Sequence, residues 1–144
     1  MEKEQKIDSI VVDTGAIFAL ADRTDAWHRR CSRFVSGYRG RFIVPCTVIP
    51  EVSYLLNAYL GQFAERVFVE SLLRKELSID HFQPEDLERS HELLKRYSDL
   101  NLGLVDASIV SICERRRIFD ILTTDRRHFS VVKSEQGKHF HLWP

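Results

Sequence analysis

Short β-branched runs alternate with longer helix-like segments along most of this chain. The strand-like runs are residues 9–12, 41–44, 77–81, 121–123 and, as a short edge strand, 139–142. The helix-like segments are residues 16–20, 25–35, 47–60, 62–75, 84–97 and 105–116. This order predicts βαβ units, and therefore an α/β fold: a three-layer α/β/α sandwich with a mainly parallel central sheet. Asp25 and Thr47 are predicted to cap the second and third helices.

Length and composition favour a single globular domain over residues 1–144. Apolar residues make up 44% of the chain and charged residues 29%, which is ordinary for such a domain. No apolar run approaches the roughly 20 residues of a membrane-spanning helix. The N-terminal MEKEQKI is charged, and no signal-type apolar region follows it. We expect a cytoplasmic protein with no membrane partner.

The cysteines predict neither a disulfide framework nor a zinc site. There are three of them, an odd number, and none forms a C-x-x-C pair. Cys46 and Cys113 lie in apolar runs and are expected in the core, whereas Cys31 is expected to be partly exposed.

Four acidic residues lie in apolar segments, where an exposed carboxylate is not expected. Asp13 and Asp125 follow predicted strands, and the carboxyl ends of parallel strands meet at one edge of the sheet. Glu51 and Asp106 lie in the first turns of predicted helices, on the core-directed face, where the helix dipole favours negative charge. Each helix-borne acid alone suits local capping or a core hydrogen bond. All four together favour one shared site.

Carboxylates crowded into one site oppose one another's ionisation unless a cation neutralises them. Ligands that are all oxygen suit Mg²⁺ or Mn²⁺ better than Zn²⁺. An acidic metal site of this kind is suited to hydrolysis of a nucleic-acid phosphodiester and requires no side-chain nucleophile. In agreement, the sequence contains no G-x-S-x-G, P-loop or G-x-G-x-x-G motif.

Residues beside the acids have candidate supporting roles. Thr14 and Thr124 are expected to orient a carboxylate or a bound water, whereas Thr123 is expected to serve ordinary turn chemistry. Arg126 and Arg127, directly after Asp125, are expected to hold substrate phosphates.

The overall charge is balanced, with 21 basic and 21 acidic residues. This balance counts against tight nonspecific binding of nucleic acid through bulk charge, but it leaves room for a local basic rim. The arginines at 29, 30 and 33 and at 115–117 are predicted to be solvated helix faces. His128 is expected either to touch substrate or to pack at a helix end.

Four segments resemble the PIN-domain nucleases, and among them the VapC-like toxins of toxin–antitoxin pairs. They are VVDTGAIFAL, VIPEVSYLL, YSDLNLGLVDASIVSICERR and ILTTDRRHF, in family order across nearly the whole chain. The resemblance implies a PIN-like sandwich in which Asp13, Glu51, Asp106 and Asp125 bind Mg²⁺ or Mn²⁺ and cleave RNA. It also implies a homodimer and inhibition by a small antitoxin. Asp99, where similar sequences often have an acid, is expected to support the site through a water or to cap the following helix.

Other functions stay open at this point. A housekeeping PIN-domain RNA-processing nuclease has the same pattern, and a non-catalytic RNA-binding module would be expected to lack the complete acid set. A haloacid-dehalogenase-type phosphatase requires a second Asp where this chain has Gly15.

Large side chains on the helices over residues 47–60 and 62–75 are predicted to pack against a second copy or, alternatively, to complete the core. They are Tyr54, Tyr59, Phe63 and Phe68.

Overall fold

A parallel five-stranded sheet organises the protein, whose computed structural model describes residues 8–144. The strands are β1 (Ser9–Val12), β2 (Arg41–Pro45), β3 (Ser78–Asp80), β4 (Asp120–Leu122) and β5 (His141–Trp143). Their order is β3-β2-β1-β4-β5, and every neighbouring pair is parallel. The predicted α/β class and parallel sheet are therefore confirmed. The first seven residues of the domain predicted over residues 1–144, including the charged N-terminus, lie outside the described part.

Helices connect the strands and flank the sheet. They are α1 (Thr14–Ala21), α2 (His28–Gly37), α3 (Ile49–Leu60), α4 (Gln62–Leu73), α5 (Pro84–Arg96), α6 (Leu104–Arg116) and α7 (Arg126–Phe129). Among residues 8–144, none of the helices has the length and apolar character that crossing a membrane requires.

The core lies between the central strands and the helices that cover them. Ile10, Val11 and Val12 of β1 are almost fully buried, as expected for a central strand covered on both faces. Helix α6 is buried continuously over residues 107–114, so it is an inner helix of the fold. Strand β1 ends at the candidate site and helix α6 begins there, so two buried core elements position the site.

Both predicted helix caps are wrong. The Asp25 carboxylate accepts from the backbone N–H of Trp27, and α2 begins only at His28 without a side-chain cap. Thr47 lies in the 3₁₀ turn Cys46–Val48, and its hydroxyl is hydrogen-bonded to Ser108 Oγ at 2.6 Å. In each case the polar side chain that was predicted to cap a helix instead hydrogen-bonds within a local turn or to a residue distant in the sequence.

The exposure expected for two of the cysteines is also wrong. Cys31 is fully buried on the inner side of α2, whereas Cys46 is only partly buried. Arg115 is exposed, as predicted, but its guanidinium also binds the buried carboxylates of Asp80 and Asp86, each at 3.0 Å. Buried carboxylates require such partners, which explains the position of this arginine.

Candidate active site

The four acids meet in an open cleft of about 460 Å³ at the carboxyl edge of the sheet. Asp13 follows β1 and Asp125 lies just beyond β4, while Glu51 and Asp106 come from the first turns of α3 and α6. Gly15, Leu55, Gly103 and Thr124 are among the other residues that line the cleft. Two strand ends and two helix starts therefore concentrate negative charge in one place.

Asp13 is the most buried acid of the four. Its Oδ1 accepts from the backbone N–H of Thr14 at 2.7 Å, and its Oδ2 accepts from the hydroxyl of Thr123 at 2.9 Å. Burial raises the pKa of Asp13 despite these two bonds, and the charges of Asp125 and Glu51 raise it further. The carboxylate is therefore held in one orientation where negative charge is disfavoured unless a cation is present.

Thr123 is a site residue that the sequence interpretation missed, because it assigned Thr123 to ordinary turn chemistry. Its hydroxyl donates to Asp13 and also accepts from the backbone N–H of Asp125 at 2.9 Å. The register between β1 and β4 pairs Val12 with Leu122, which places the next residues, Asp13 and Thr123, side by side. That register could not be inferred from the sequence alone.

His128 bridges two of the acids. Its Nδ1 lies 2.9 Å from Asp125 Oδ2 and 3.4 Å from Asp106 Oδ2. The bond to Asp125 raises the pKa of His128. The sequence left its role open, since its position depends on the one-turn helix α7, which was not predicted. Asp125 caps that turn by accepting from the backbone N–H groups of Arg127 and His128.

Asp106 and Glu51 complete the acidic lining. Burial, and then the charge of Asp13, raise the pKa of Asp106 to about 6. Glu51 is exposed at the mouth of the cleft. The acids thus range from a buried carboxylate to one open to solvent, an arrangement that leaves room for a hydrated ligand.

The two threonines expected to support the site both line the cleft. The hydroxyl of Thr14 is buried, and no partner for it exists among the described residues. Thr124 closely approaches Gly15, where an added Cβ would collide with the Thr124 hydroxyl oxygen. Asp99 is exposed in the 3₁₀ turn Ser98–Leu100 and does not line the cleft. It does not cap α6 either, which begins after Gly103 without a side-chain cap.

The two arginines after Asp125 lie in different surroundings. The Arg126 guanidinium lies 5.5 Å from the centre of the Trp27 ring and donates to the backbone carbonyl of Pro144. Arg127 is exposed, and only its backbone N–H bonds to Asp125. Both are next to the cleft in the chain, but Arg126 is already held against other groups.

The donor groups fit a hard divalent cation. The four acids offer carboxylate oxygens, which Mg²⁺ and Mn²⁺ prefer. Side-chain atoms of Asp106, Asp125 and His128 capable of binding a metal all lie within 4.8 Å of one another. Burial, and then the neighbouring carboxylates, raise the pKa of Asp13 and of Asp106, so a cation bound here would stabilise their charged forms.

The family model for the PIN domain matches residues 10–134. The chain belongs to the PIN domain family. The family resemblance predicted from the sequence is therefore confirmed. Among curated proteins, the PIN domain described here is similar to Ribonuclease VapC26 of Mycobacterium tuberculosis, with 27% identity over 135 residues, covering 94% of this chain and 100% of the relative.

Solved structures show the same fold. The crystal structure of Mycobacterium tuberculosis VapC20, a Sarcin-Ricin loop cleaving toxin, matches with a TM-score of 0.76 and 24% identity, covering 81% of this chain and 90% of that one. A toxin–antitoxin complex from Klebsiella pneumoniae matches with a TM-score of 0.67 and 19% identity, covering 85% and 92%. The PIN domain architecture thus extends over most of the chain.

Proposed function

We propose that this PIN domain is a metal-dependent endoribonuclease, the toxin of a toxin–antitoxin pair, with residues 1–144 as its single domain. The observation that supports this most is the meeting of four carboxylates from four separate chain segments in one open cleft. Similarity to a ribonuclease over 94% of the chain supports RNA as the substrate.

Asp13, Glu51, Asp106 and Asp125 are the proposed metal ligands and catalytic residues, and the metal is Mg²⁺ or Mn²⁺. When bound, such a cation supplies Lewis-acid stabilisation of charge on phosphoryl oxygens and lowers the pKa of water. The protein's own contribution is orientation. Thr123 and the backbone N–H of Thr14 fix both oxygens of Asp13.

Other side chains in and near the cleft have proposed roles around the reacting phosphate. Thr14 and Thr124 line the cleft and orient a carboxylate or a bound water. Arg126 and Arg127 hold RNA phosphates beside the acids, since their guanidinium cations offset the repulsion between RNA phosphates and carboxylates. Asp99 is exposed outside the cleft lining, so any support that it gives the site acts through a water.

A homodimer and a small antitoxin are the proposed protein partners. Tyr54, Tyr59 and Phe63 on α3 and α4 are each 71% exposed, and Leu73 is 77% exposed, whereas Phe68 is buried in the core. Exposed apolar side chains in this number favour a protein contact. Light scattering at micromolar concentration tests the homodimer, and a strictly monomeric protein that still cleaves RNA would exclude a groove built by two copies.

The activity itself is tested with single-stranded RNA, Mg²⁺ or Mn²⁺, and EDTA as the control. Cleavage that requires the metal supports the nuclease. RNA binding without cleavage in any divalent metal would indicate a non-catalytic module. Growth arrest on expression, relieved by a co-expressed antitoxin, separates a toxin from a housekeeping nuclease.

A further inference from the structure

Some arginines of this protein are paired with carboxylates, and others are not. Arg89, Arg115 and Arg116 form ion pairs with carboxylates, among them the buried ones of Asp80 and Glu114. Across residues 8–144, no ion pair involves the exposed arginines of α2 and α7. They are Arg29, Arg30, Arg33, Arg126 and Arg127. These five arginines therefore have no carboxylate within ion-pair distance among the described residues.

Trp27 joins the two helices of this basic surface. The Arg30 guanidinium lies 4.4 Å from the centre of the Trp27 ring, and the Arg126 guanidinium lies 5.5 Å from it. Both distances are within the range of a cation–π interaction. We call Trp27, Arg30 and Arg126 the arginine–tryptophan surface.

The tryptophan is itself held firmly. Its backbone N–H donates to the carboxylate of Asp25 at 2.8 Å, and its ring packs against the hydrophobic core. The neighbouring His28 ring is hydrogen-bonded to the carbonyl of Ala19 at 2.8 Å, which ties the start of α2 to α1. Trp27 therefore offers a fixed aromatic face that limits the motion of two long side chains.

The arginine–tryptophan surface lies beside the acidic cleft. Arg126 directly follows Asp125, which lines the cleft. Its guanidinium also donates to the carbonyl of Pro144, immediately after β5, the neighbour of β4. Because β1, β4 and β5 run parallel, their carboxyl ends share the sheet edge where the acids lie.

We infer that the arginine–tryptophan surface binds the phosphate backbone of single-stranded RNA next to the scissile bond, with Trp27 as a positioning residue. This inference rests on the proposed function. Four carboxylates repel a polyanion, so RNA that enters the cleft requires cations close by that are not already neutralised. Arg30 and Arg126 meet this requirement, and guanidinium groups bind phosphate with directed N–H donors.

The test compares two double variants with the same change of charge. Arg30→Gln/Arg126→Gln alters the arginine–tryptophan surface, and Arg39→Gln/Arg41→Gln alters two exposed arginines at the amino end of β2. Binding of a fluorescent single-stranded RNA is measured by anisotropy in EDTA. Two lost phosphate contacts reduce the log–log salt slope by about 1.4. Between about 50 and about 200 mM salt, the wild type should therefore lose about sevenfold more affinity than the surface variant.

Trp27→Leu and Trp27→Phe test the positioning role, with thermal melting as the control for folding. Trp27→Leu should reduce the salt slope although both arginines remain, and Trp27→Phe should restore most of it. If Trp27→Leu does not fold, the arginine double variant alone decides. Equal slopes for wild type and the Arg30/Arg126 variant would overturn the inference, and so would an equal loss in the Arg39/Arg41 control. An acidic peptide is a second binding probe. If the Arg30/Arg126 variant binds RNA as the wild type does and loses only its binding to that peptide, the inference is also overturned.

Failure of this inference is distinguishable from failure of the proposed function. If the wild-type protein cleaves RNA with Mg²⁺ and the Arg30/Arg126 variant binds RNA normally, only the role of the arginine–tryptophan surface is contradicted. If the wild-type protein cleaves no RNA in any divalent metal but binds RNA with the predicted salt slopes, only the proposed nuclease activity is contradicted.

Discussion

The hydroxyl of Thr123 donates to Asp13 Oδ2 at 2.9 Å, joining the residue after β4 to the residue after β1. The same hydroxyl accepts from the backbone N–H of Asp125. One buried threonine thus fixes the spacing of two strand-end acids. The bond forms because adjacent parallel strands end at matching positions.

Thr123→Val should lower both stability and activity. Valine keeps the shape but leaves a buried carboxylate oxygen of Asp13 without its donor, which costs about 1–3 kcal/mol of unfolding free energy. Denaturant unfolding measures the stability, and RNA cleavage measures the effect on the site. Thr124→Val is the matched control, since within the described residues the Thr124 hydroxyl bonds to none of the four acids. Equal stability losses in the two variants would contradict the role of Thr123.

Gly15→Ala should disturb the cleft through Thr124. The added methyl group collides with the Thr124 hydroxyl oxygen, and overpacking of this kind costs about 1–3 kcal/mol. Thr124→Ala in the same chain removes that oxygen and should restore most of the lost stability. A double-mutant cycle by thermal unfolding measures the coupling. Additive effects of the two changes would show that the collision is relieved in another way.

Arg115→Met should destabilise the protein by about 3 kcal/mol, because it leaves the buried carboxylate of Asp86 without its cation and Asp80 with Arg116 alone. Arg66→Met is the control, since Arg66 is exposed on α4. Denaturant midpoints compare the two variants. A loss of stability no larger than that of the control would show that the ion pairs of Arg115 contribute nothing measurable to stability.

The fold was predictable because its signals are local. Buried parallel strands are short β-branched runs, and the observed bounds of β1 and β2 differ from the prediction by at most one residue. Departures occur where tertiary contacts decide the structure. The last strand is His141–Trp143 rather than residues 139–142, while His139 makes an isolated antiparallel bridge to Lys133.

The site was predictable only in part, for the same reason. Acids in apolar segments are conspicuous in a sequence, and the structure brings all four to one cleft. Thr123 was missed because its role depends on strand register, and the role of His128 stayed open because it depends on the one-turn helix α7. Trp27 stands far from Asp125 in the chain, so its contact with Arg126 was not predictable from the sequence.

Metal binding should be measurable without any substrate. Mg²⁺ or Mn²⁺ binds the folded site and should raise the melting temperature in proportion to the logarithm of its concentration above the dissociation constant. Asp106→Asn removes one proposed ligand and should largely abolish that increase. Asp99→Asn is the control, since Asp99 is exposed outside the cleft lining. A metal-induced increase that persists unchanged in Asp106→Asn would contradict the assignment of Asp106.

The most direct test of the shared acidic site is single-turnover RNA cleavage in Mg²⁺ by four amide variants. They are Asp13→Asn, Glu51→Gln, Asp106→Asn and Asp125→Asn. Each should fold, because each removes like-charge repulsion, and each should cleave at least about a hundredfold more slowly than the wild type. Wild-type rates in two or more of the four folded variants would contradict the account.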